Sequence, residues 1–308
     1  MRDVAALLVG LALLTVAADR FVLGAARLSA ALRVSPVIIG ALVIGAGTSA
    51  PELLVTVLAA VQGVPDLAVG NLIGSNTANI GLVLGAAALV SPIAIGQATL
   101  RREVPLMLLA VVALASAAAD GTLGRVDGAV LLALGAVAIA VVVAFARADQ
   151  RGAASPRAGR AEPVWRPAVL ALAGLLGTIA GAQLLVSGAS GLARALGVSE
   201  AVVGLTVVAI GTSLPELVTA VAAARRREAD LVVGNVLGSN LFNSLPVAGV
   251  AGVLGAAGLE PAFGLALAGM VAICGLAAVF LFTGRRLARV EGAVLLGLFA
   301  LIVGATVA

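Results

Sequence analysis

Two short motifs occur twice in this chain. Gly47-Thr48-Ser49-Ala50-Pro51-Glu52-Leu53 returns as Gly211-Thr212-Ser213-Leu214-Pro215-Glu216-Leu217, 164 residues later. Gly70-Asn71, Gly74-Ser75-Asn76 and Asn79 return at the same offset as Gly234-Asn235, Gly238-Ser239-Asn240 and Asn243. Each copy sets one glutamate beside a proline within an apolar stretch. A carboxylate is expensive in hydrocarbon, so an acid there marks a functional site. Two acids at matched positions of a duplicated chain suggest one cation site assembled from two halves. The hydroxyls of Thr48, Ser49, Thr212 and Ser213 and the carboxylates of Glu52 and Glu216 are hard oxygen donors, the set that calcium and sodium prefer. Ser75 and Asn79 lie four residues apart and share a helix face, with Asn76 three before Asn79. Ser239, Asn240 and Asn243 repeat that spacing.

Charge adds a mechanism. Ionised Glu52 and Glu216 carry minus two together, which a single calcium ion neutralises. Two or three sodium ions, using hydroxyls and backbone carbonyls, could fill the same volume. Competition for shared ligands forbids full occupancy by both, and that exclusion is the physical basis of exchange. Taken singly, each feature has a structural explanation: small residues pack membrane helices closely, prolines kink them, asparagines bridge them, and a terminal glutamate snorkels. Duplication of the whole set is what favours an ion site.

Positioning such residues requires an interrupted helix. Pro51 removes a backbone hydrogen bond and clashes with the carbonyl four residues back, at Gly47, while Gly45 and Gly47 weaken the helix further. Irregular backbone at membrane depth is tolerated only inside protein or along a wet cavity. The motif therefore predicts a broken helix with carbonyls turned inward, in both halves.

The rest of the chain fits a membrane setting. Of 308 residues, 62% are hydrophobic and 11% charged, well below the quarter charged in soluble domains. The apolar runs do not alternate, which sets aside an outer-membrane barrel, and several are long enough for spanning helices. We expect an all-α fold of ten spans, at 4–26, 35–61, 67–90, 101–119 and 126–146, then 167–193, 199–224, 231–257, 262–282 and 290–307. Residues 1–147 and 165–308 form the two five-helix repeats and 148–164 a short polar linker on the cytoplasmic side. The first run, Val4 to Ala18, could pass for a signal-peptide core, but its counterpart Ala168 to Ala182 lies deep in the chain.

All 19 basic residues are arginine. With the N-terminus external, fifteen fall in cytoplasmic connections and three outside, while Arg20 lies within the first span. This positive-inside bias places both termini outside. Five spans per half, an odd number, then force homologous halves to insert in opposite senses, as an inverted repeat. The arginines form no stripe with interleaved aromatics, so nucleic acid is not the expected partner. With no histidine, imidazole catalysis and His-ligated zinc are excluded. The lone Cys274 can form no intrachain disulfide.

Acids outside the motifs are weaker candidates. Asp66 and Asp230 begin spans, where helix capping explains them. Asp19 lies in the first span beside Arg20, and its counterpart is Gln183, so it breaks the symmetry; an ion pair or a place near the cytoplasmic face is expected. Asp120, Asp127, Glu200 and Glu260 fall near external loops and carry no assigned role.

At the duplicated residues the chain resembles the sodium/calcium exchanger family of the calcium/cation antiporter superfamily. Its two Gly-Thr-Ser-x-Pro-Glu-Leu and Gly-Asn-x-x-Gly-Ser-Asn copies are similar to that family's two repeats, and the likeness covers nearly the whole chain. The resemblance implies a ten-helix inverted-repeat fold with broken helices at the midplane. It implies a central calcium site at Glu52 and Glu216 assisted by Thr48 and Thr212, with Asn79 and Asn243 beside it. Ser49, Ser75, Ser213 and Ser239 would line flanking sodium sites, with backbone carbonyls near Gly45 and Ala209. The first and sixth spans would slide against the core. Some members carry Asp where Asn243 stands, so this site has two carboxylates rather than three.

The expected protein is thus a calcium/sodium antiporter of a prokaryotic plasma membrane, working as a monomer without a cofactor or protein partner. The nearest rival is a calcium/proton exchanger. A channel would repeat about an axis normal to the membrane, and an intramembrane enzyme would lack residues for metal or thiol chemistry.

Overall fold

The structure, a computed structural model, describes residues 2–152, 163–196, 209–255 and 263–307. Most of the expected linker, the first part of the expected span at 199–224, Glu200 and Glu260 lie outside the described residues. In order, the helices are α1 (Arg2–Leu32), α2 (Pro36–Thr48), α3 (Ala50–Val61), α4 (Asp66–Val90), α5 (Gln97–Arg101), α6 (Glu103–Ala117) and α7 (Arg125–Asp149). They continue as α8 (Trp165–Ala195), α9 (Ala209–Thr212), α10 (Leu214–Arg225), α11 (Ala229–Leu254), α12 (Phe263–Gly284) and α13 (Arg289–Val307). Two short strands, β1 (Ile93–Ala94) and β2 (Arg286–Leu287), pair antiparallel and tie two connecting loops together.

Among the described residues, α1, α4, α7, α8, α11 and α12 are each long and apolar enough to cross a membrane. The bent pair α2 and α3 makes a seventh candidate span. The chain is therefore a multi-pass helical membrane protein. Its helices are not equally sheltered. In the most apolar window of α4 and α11, 72% and 78% of residues are buried against protein, compared with 33% and 28% for α1 and α8. The helices carrying the second motif therefore form the centre, and α1 and α8 lie outside it.

The sequence duplication has a direct geometric counterpart in the packing of α1 on α8. A Cβ added to Gly10 would lie 2.5 Å from the backbone nitrogen of Leu185, and one added to Gly174 would lie 2.5 Å from that of Phe21. Gly24 meets Ala171 and Gly188 meets Leu7 at the same 2.5 Å. Each pair is the other with both numbers moved by the repeat offset, and partners run in opposite directions along the two helices. This is the reciprocity a local two-fold axis requires. Small residues let the two backbones meet without side chains between them.

Local chemistry shapes the helix ends. Ser35 caps α2, its Oγ accepting from the Val37 N–H at 3.3 Å, and Pro36 supplies the first turn. Arg33, Arg227 and Arg285 adopt left-handed backbone with φ of 56°, 60° and 49°. The repeat counterpart of Arg227 is Gly63, whose φ is 72°. The same turn is thus made by glycine in one half and by arginine in the other, against the preference of a residue with a Cβ. Arg227→Gly is expected to raise stability by about 1 kcal/mol, visible as a higher midpoint in thermal unfolding of detergent-purified protein.

Candidate ion-binding site

The first motif breaks its helix at the serine. Ser49 (φ −79°, ψ 8°) and Ser213 (φ −88°, ψ 4°) leave helical geometry, and α2 and α3 meet at 45°. The helix is broken as expected, but the prolines lie beyond the break rather than at it. Each lies in the first turn of the helix that follows, where an absent N–H leaves no bond unmade. Glu52 and Glu216 occupy the same first turns, so the positive ends of α3 and α10 face their charge.

The two halves then cross-link. Ser49 Oγ donates to Glu216 Oε1 at 3.0 Å, and Ser213 Oγ donates to Glu52 Oε1 at 3.4 Å. Each carboxylate is held by the serine of the opposite motif copy. Behind them, Asn71 Nδ2 donates to the Glu52 carbonyl at 3.2 Å and Asn235 Nδ2 to the Glu216 carbonyl at 3.3 Å. Sequence alone gives Asn71 and Asn235 no role, although their duplication is visible. They brace the helices of the second motif against the glutamates. Asn71 also donates to Thr56 Oγ1 at 2.9 Å.

Asn79 and Asn243 each begin a π-helical turn, over Asn79–Leu84 and Asn243–Val247. Such turns widen the helix locally and often mark functional sites. A third π-helical turn spans Gly40–Gly45. The central helices meet where Asn240 Nδ2 donates to the Asn76 carbonyl at 3.3 Å and Asn76 Nδ2 to Ser244 Oγ at 3.2 Å.

Among the described residues, eight buried polar atoms here have no hydrogen-bond partner: Oε2 of Glu52 and Glu216, Oδ1 of Asn76 and Asn240, and both amide atoms of Asn79 and Asn243. The set is symmetric between the halves, and six of the eight are oxygens. An unpaired buried polar group costs about 1–3 kcal/mol, so a concentration of them indicates a partner other than protein. Glu52 and Glu216 are each 1% exposed. Among the described residues no group of three or more His, Cys, Asp or Glu side chains could hold a metal; the site pairs two carboxylates with neutral oxygens.

The remaining expected residues divide. Thr48, Ser49, Ser213, Ser75 and Ser239 are buried, and Thr212 is half-buried. Thr48 Oγ1 donates to the Ile44 carbonyl at 2.9 Å. The Gly45 carbonyl is not free: it accepts from Ser49 N and from Ser239 Oγ, both at 3.1 Å. Two residues expected to line the flanking sodium sites are thus in contact, across the two halves. Ala209 opens α9, and its side chain lies outside the described residues.

The acids outside the motifs serve local structure. Asp66 and Asp230 lie in the first turns of their helices. Asp127 Oδ2 accepts from Gly124 N at 2.9 Å. Asp120 accepts from the hydroxyl and N–H of Thr122 at 2.8 and 2.9 Å, which holds its carboxyl below the usual range. Asp19 forms an ion pair, with Arg226 rather than its neighbour Arg20.

A cleft of about 280 Å³ lies between α8 and α3 beside the site, lined by Pro51, Leu54, Gln183, Ser187, Thr212 and Pro215. It is one-sided. Helix α1 packs along α10, whereas the counterpart pair, α8 and α3, makes almost no contact.

Known proteins share this fold. The family described as sodium/calcium exchanger protein matches residues 3–144 and 166–308. A putative antiporter, CaxA of Alkalimonas amylolytica, is 40% identical over 301 residues, covering 95% of this chain and 94% of the relative. The inner membrane protein YrbG of Escherichia coli (strain K12) is 42% identical over 257 residues, covering 81% and 79%. A structure of the sodium-calcium exchanger NCX_Mj, soaked with sodium and strontium, superposes with a TM-score of 0.88 at 35% identity, covering 98% of each chain. With its duplicated glutamates, symmetric buried oxygens and helical membrane fold, the chain belongs to the sodium/calcium exchanger family of membrane transporters.

Proposed function

We propose that this protein is a secondary antiporter that exchanges calcium for sodium by alternating access at one shared site. The observation that carries this reading is the symmetric set of unpartnered buried oxygens around Glu52 and Glu216. Their two carboxylates match the charge of one calcium ion, and the neutral oxygens of Asn79 and Asn243 extend the shell without adding charge. Thr48 and Thr212 support the central position. Ser49, Ser75, Ser213 and Ser239, with backbone near Gly45 and Ala209, line the flanking sodium positions.

The architecture we infer has ten spans in two inverted five-helix repeats, 1–147 and 165–308. The seven long or bent spans are completed by α5 with α6, by α9 with α10, and by α13. The reciprocal packing of α1 on α8 supports inversion. The arginine distribution puts both termini outside and the 148–164 connection in the cytoplasm of a prokaryotic cell. In that orientation the cleft beside α3 opens to the exterior. All the residues we assign to the site belong to one chain, which supports a working monomer.

A second reading is calcium/proton exchange. It draws on the same pair of buried carboxyls, since protons can also neutralise them. Proteoliposomes separate the two. An outward sodium gradient is expected to drive calcium uptake at equal pH on both sides. Uptake that follows a pH gradient and ignores sodium would select proton exchange instead.

A further inference from the structure

The charge asymmetry of the duplication coincides with the conformational asymmetry of the structure. Asp19, on α1, receives Arg226 Nε and Nη2 at 2.7 Å each, a bidentate fork of the strong kind. Arg226 stands just past α10, the helix whose first turn carries Glu216. The pair therefore ties an outer helix to an element of the ion site. Moved by the repeat offset, Asp19 and Arg226 become Gln183 and Gln62. Both glutamines are exposed. They belong to α8 and to the end of α3, the two helices that the cleft separates. The side where outer helix and core touch carries an ion pair, and the symmetric side, which stands open, carries two neutral amides.

Resting on the alternating-access reading above, we infer that Asp19 and Arg226 form a one-sided latch that favours the state with the cleft beside α3 open. Helices α1 and α8 are packed backbone to backbone along their length, so they move as a unit. By the pseudo-two-fold, a shift that seats α8 on α3 lifts α1 off α10. The two contacts exclude each other. An interaction present in only one of two states shifts their ratio by its own strength. The charged pair contributes in the state described here and must separate in its mirror image, where Gln183 and Gln62 replace it without a net charge attraction. Asp19 thus acts as a positioning residue, remote from the ions themselves. With side chains 46% and 32% exposed, the pair is screened by water, and a bias of roughly two- to five-fold is expected.

The test reads the state directly. Ser187 lines the cleft, and the native thiol, Cys274, is buried. In sealed vesicles of the full-length protein, Ser187→Cys is labelled by a membrane-impermeant maleimide added from the cleft side at fixed ion concentrations. Under ion conditions where the cleft is open in half of the molecules or fewer, Asp19→Asn is expected to slow labelling, by up to about two- to five-fold. The exchanged pair Asp19→Arg with Arg226→Asp is expected to restore the rate, which a merely destabilised fold would not do. Installing the latch on the other side, by Gln183→Asp with Gln62→Arg, is expected to slow labelling in the otherwise native chain. Unchanged labelling in Asp19→Asn, or no recovery in the exchanged pair, would overturn the latch. The readout does not depend on which ion is carried: absence of sodium-driven calcium flux in the native chain would defeat the exchange reading and leave the labelling comparison intact.

Discussion

Glu52→Gln and Glu216→Gln should each reduce sodium-driven calcium uptake by about a hundred-fold or more, beyond the loss typical for residues that only support a metal ligand. The substitution keeps shape and removes one charge. Ser213 Oγ can still donate to the side-chain oxygen at position 52, and Ser49 Oγ to that at position 216. What is lost is half of the negative charge that matches calcium. The fold should survive, because a lone buried carboxylate opposes folding and an amide is cheaper to bury. Thermal unfolding in detergent is therefore expected to show unchanged or higher stability while flux disappears. The two variants should resemble each other closely, since each glutamate occupies the first turn of its helix and is held by the opposite serine. Substantial calcium exchange in either variant would refute the shared-site reading, and loss of flux with loss of fold would point to a structural role.

The second large effect concerns the crossing of α2 on α11. A Cβ on Gly238 would run into the backbone of Ala41, and one on Gly45 would lie 2.7 Å from Ser239 N and 2.8 Å from the Asn235 carbonyl. Backbone meets backbone here, so no flexible side chain can move aside. This contact brings Ser239 Oγ within 3.1 Å of the Gly45 carbonyl. Gly238→Val is expected to destabilise by about 3 kcal/mol and to abolish transport, with Gly238→Ala intermediate. Size-exclusion profiles and unfolding midpoints would measure the series. Gly275 and Gly297 have nothing within 4 Å of an added Cβ among the described residues, so Gly297→Ala should change stability by no more than about 0.5 kcal/mol.

Much of the site was legible before any coordinates. The duplicated Glu52 and Glu216 were conspicuous because charge is rare in apolar sequence, and their pairing followed from the constant offset. The break near Pro51 was anticipated, but its position was not. Proline was read as interrupting a helix, whereas the chain yields at Ser49 and lets Pro51 start the next segment. Sequence spacing cannot distinguish these cases, since a missing N–H is harmless in a first turn and costly later. Asp19 was expected to pair or to lie near the cytoplasmic face, and it pairs, but its partner sits 207 residues away. No local rule could name Arg226 when Arg20 was adjacent.

By itself, the sequence determined which atoms would be available: two carboxylates, a doubled set of hydroxyls and amides, and an apolar chain able to shelter them. Composition and periodicity carry that information because each is a property of local residues. Only the tertiary structure decided which oxygens remain free. Gly45 offered a carbonyl on paper, yet Ser49 and Ser239 both donate to it, while Asn79 and Asn243 keep both amide atoms unpaired. The cleft on one side and the ion pair on the other are likewise tertiary facts. A nearly symmetric sequence is compatible with either side being open, and the choice rests on contacts between residues far apart in the chain.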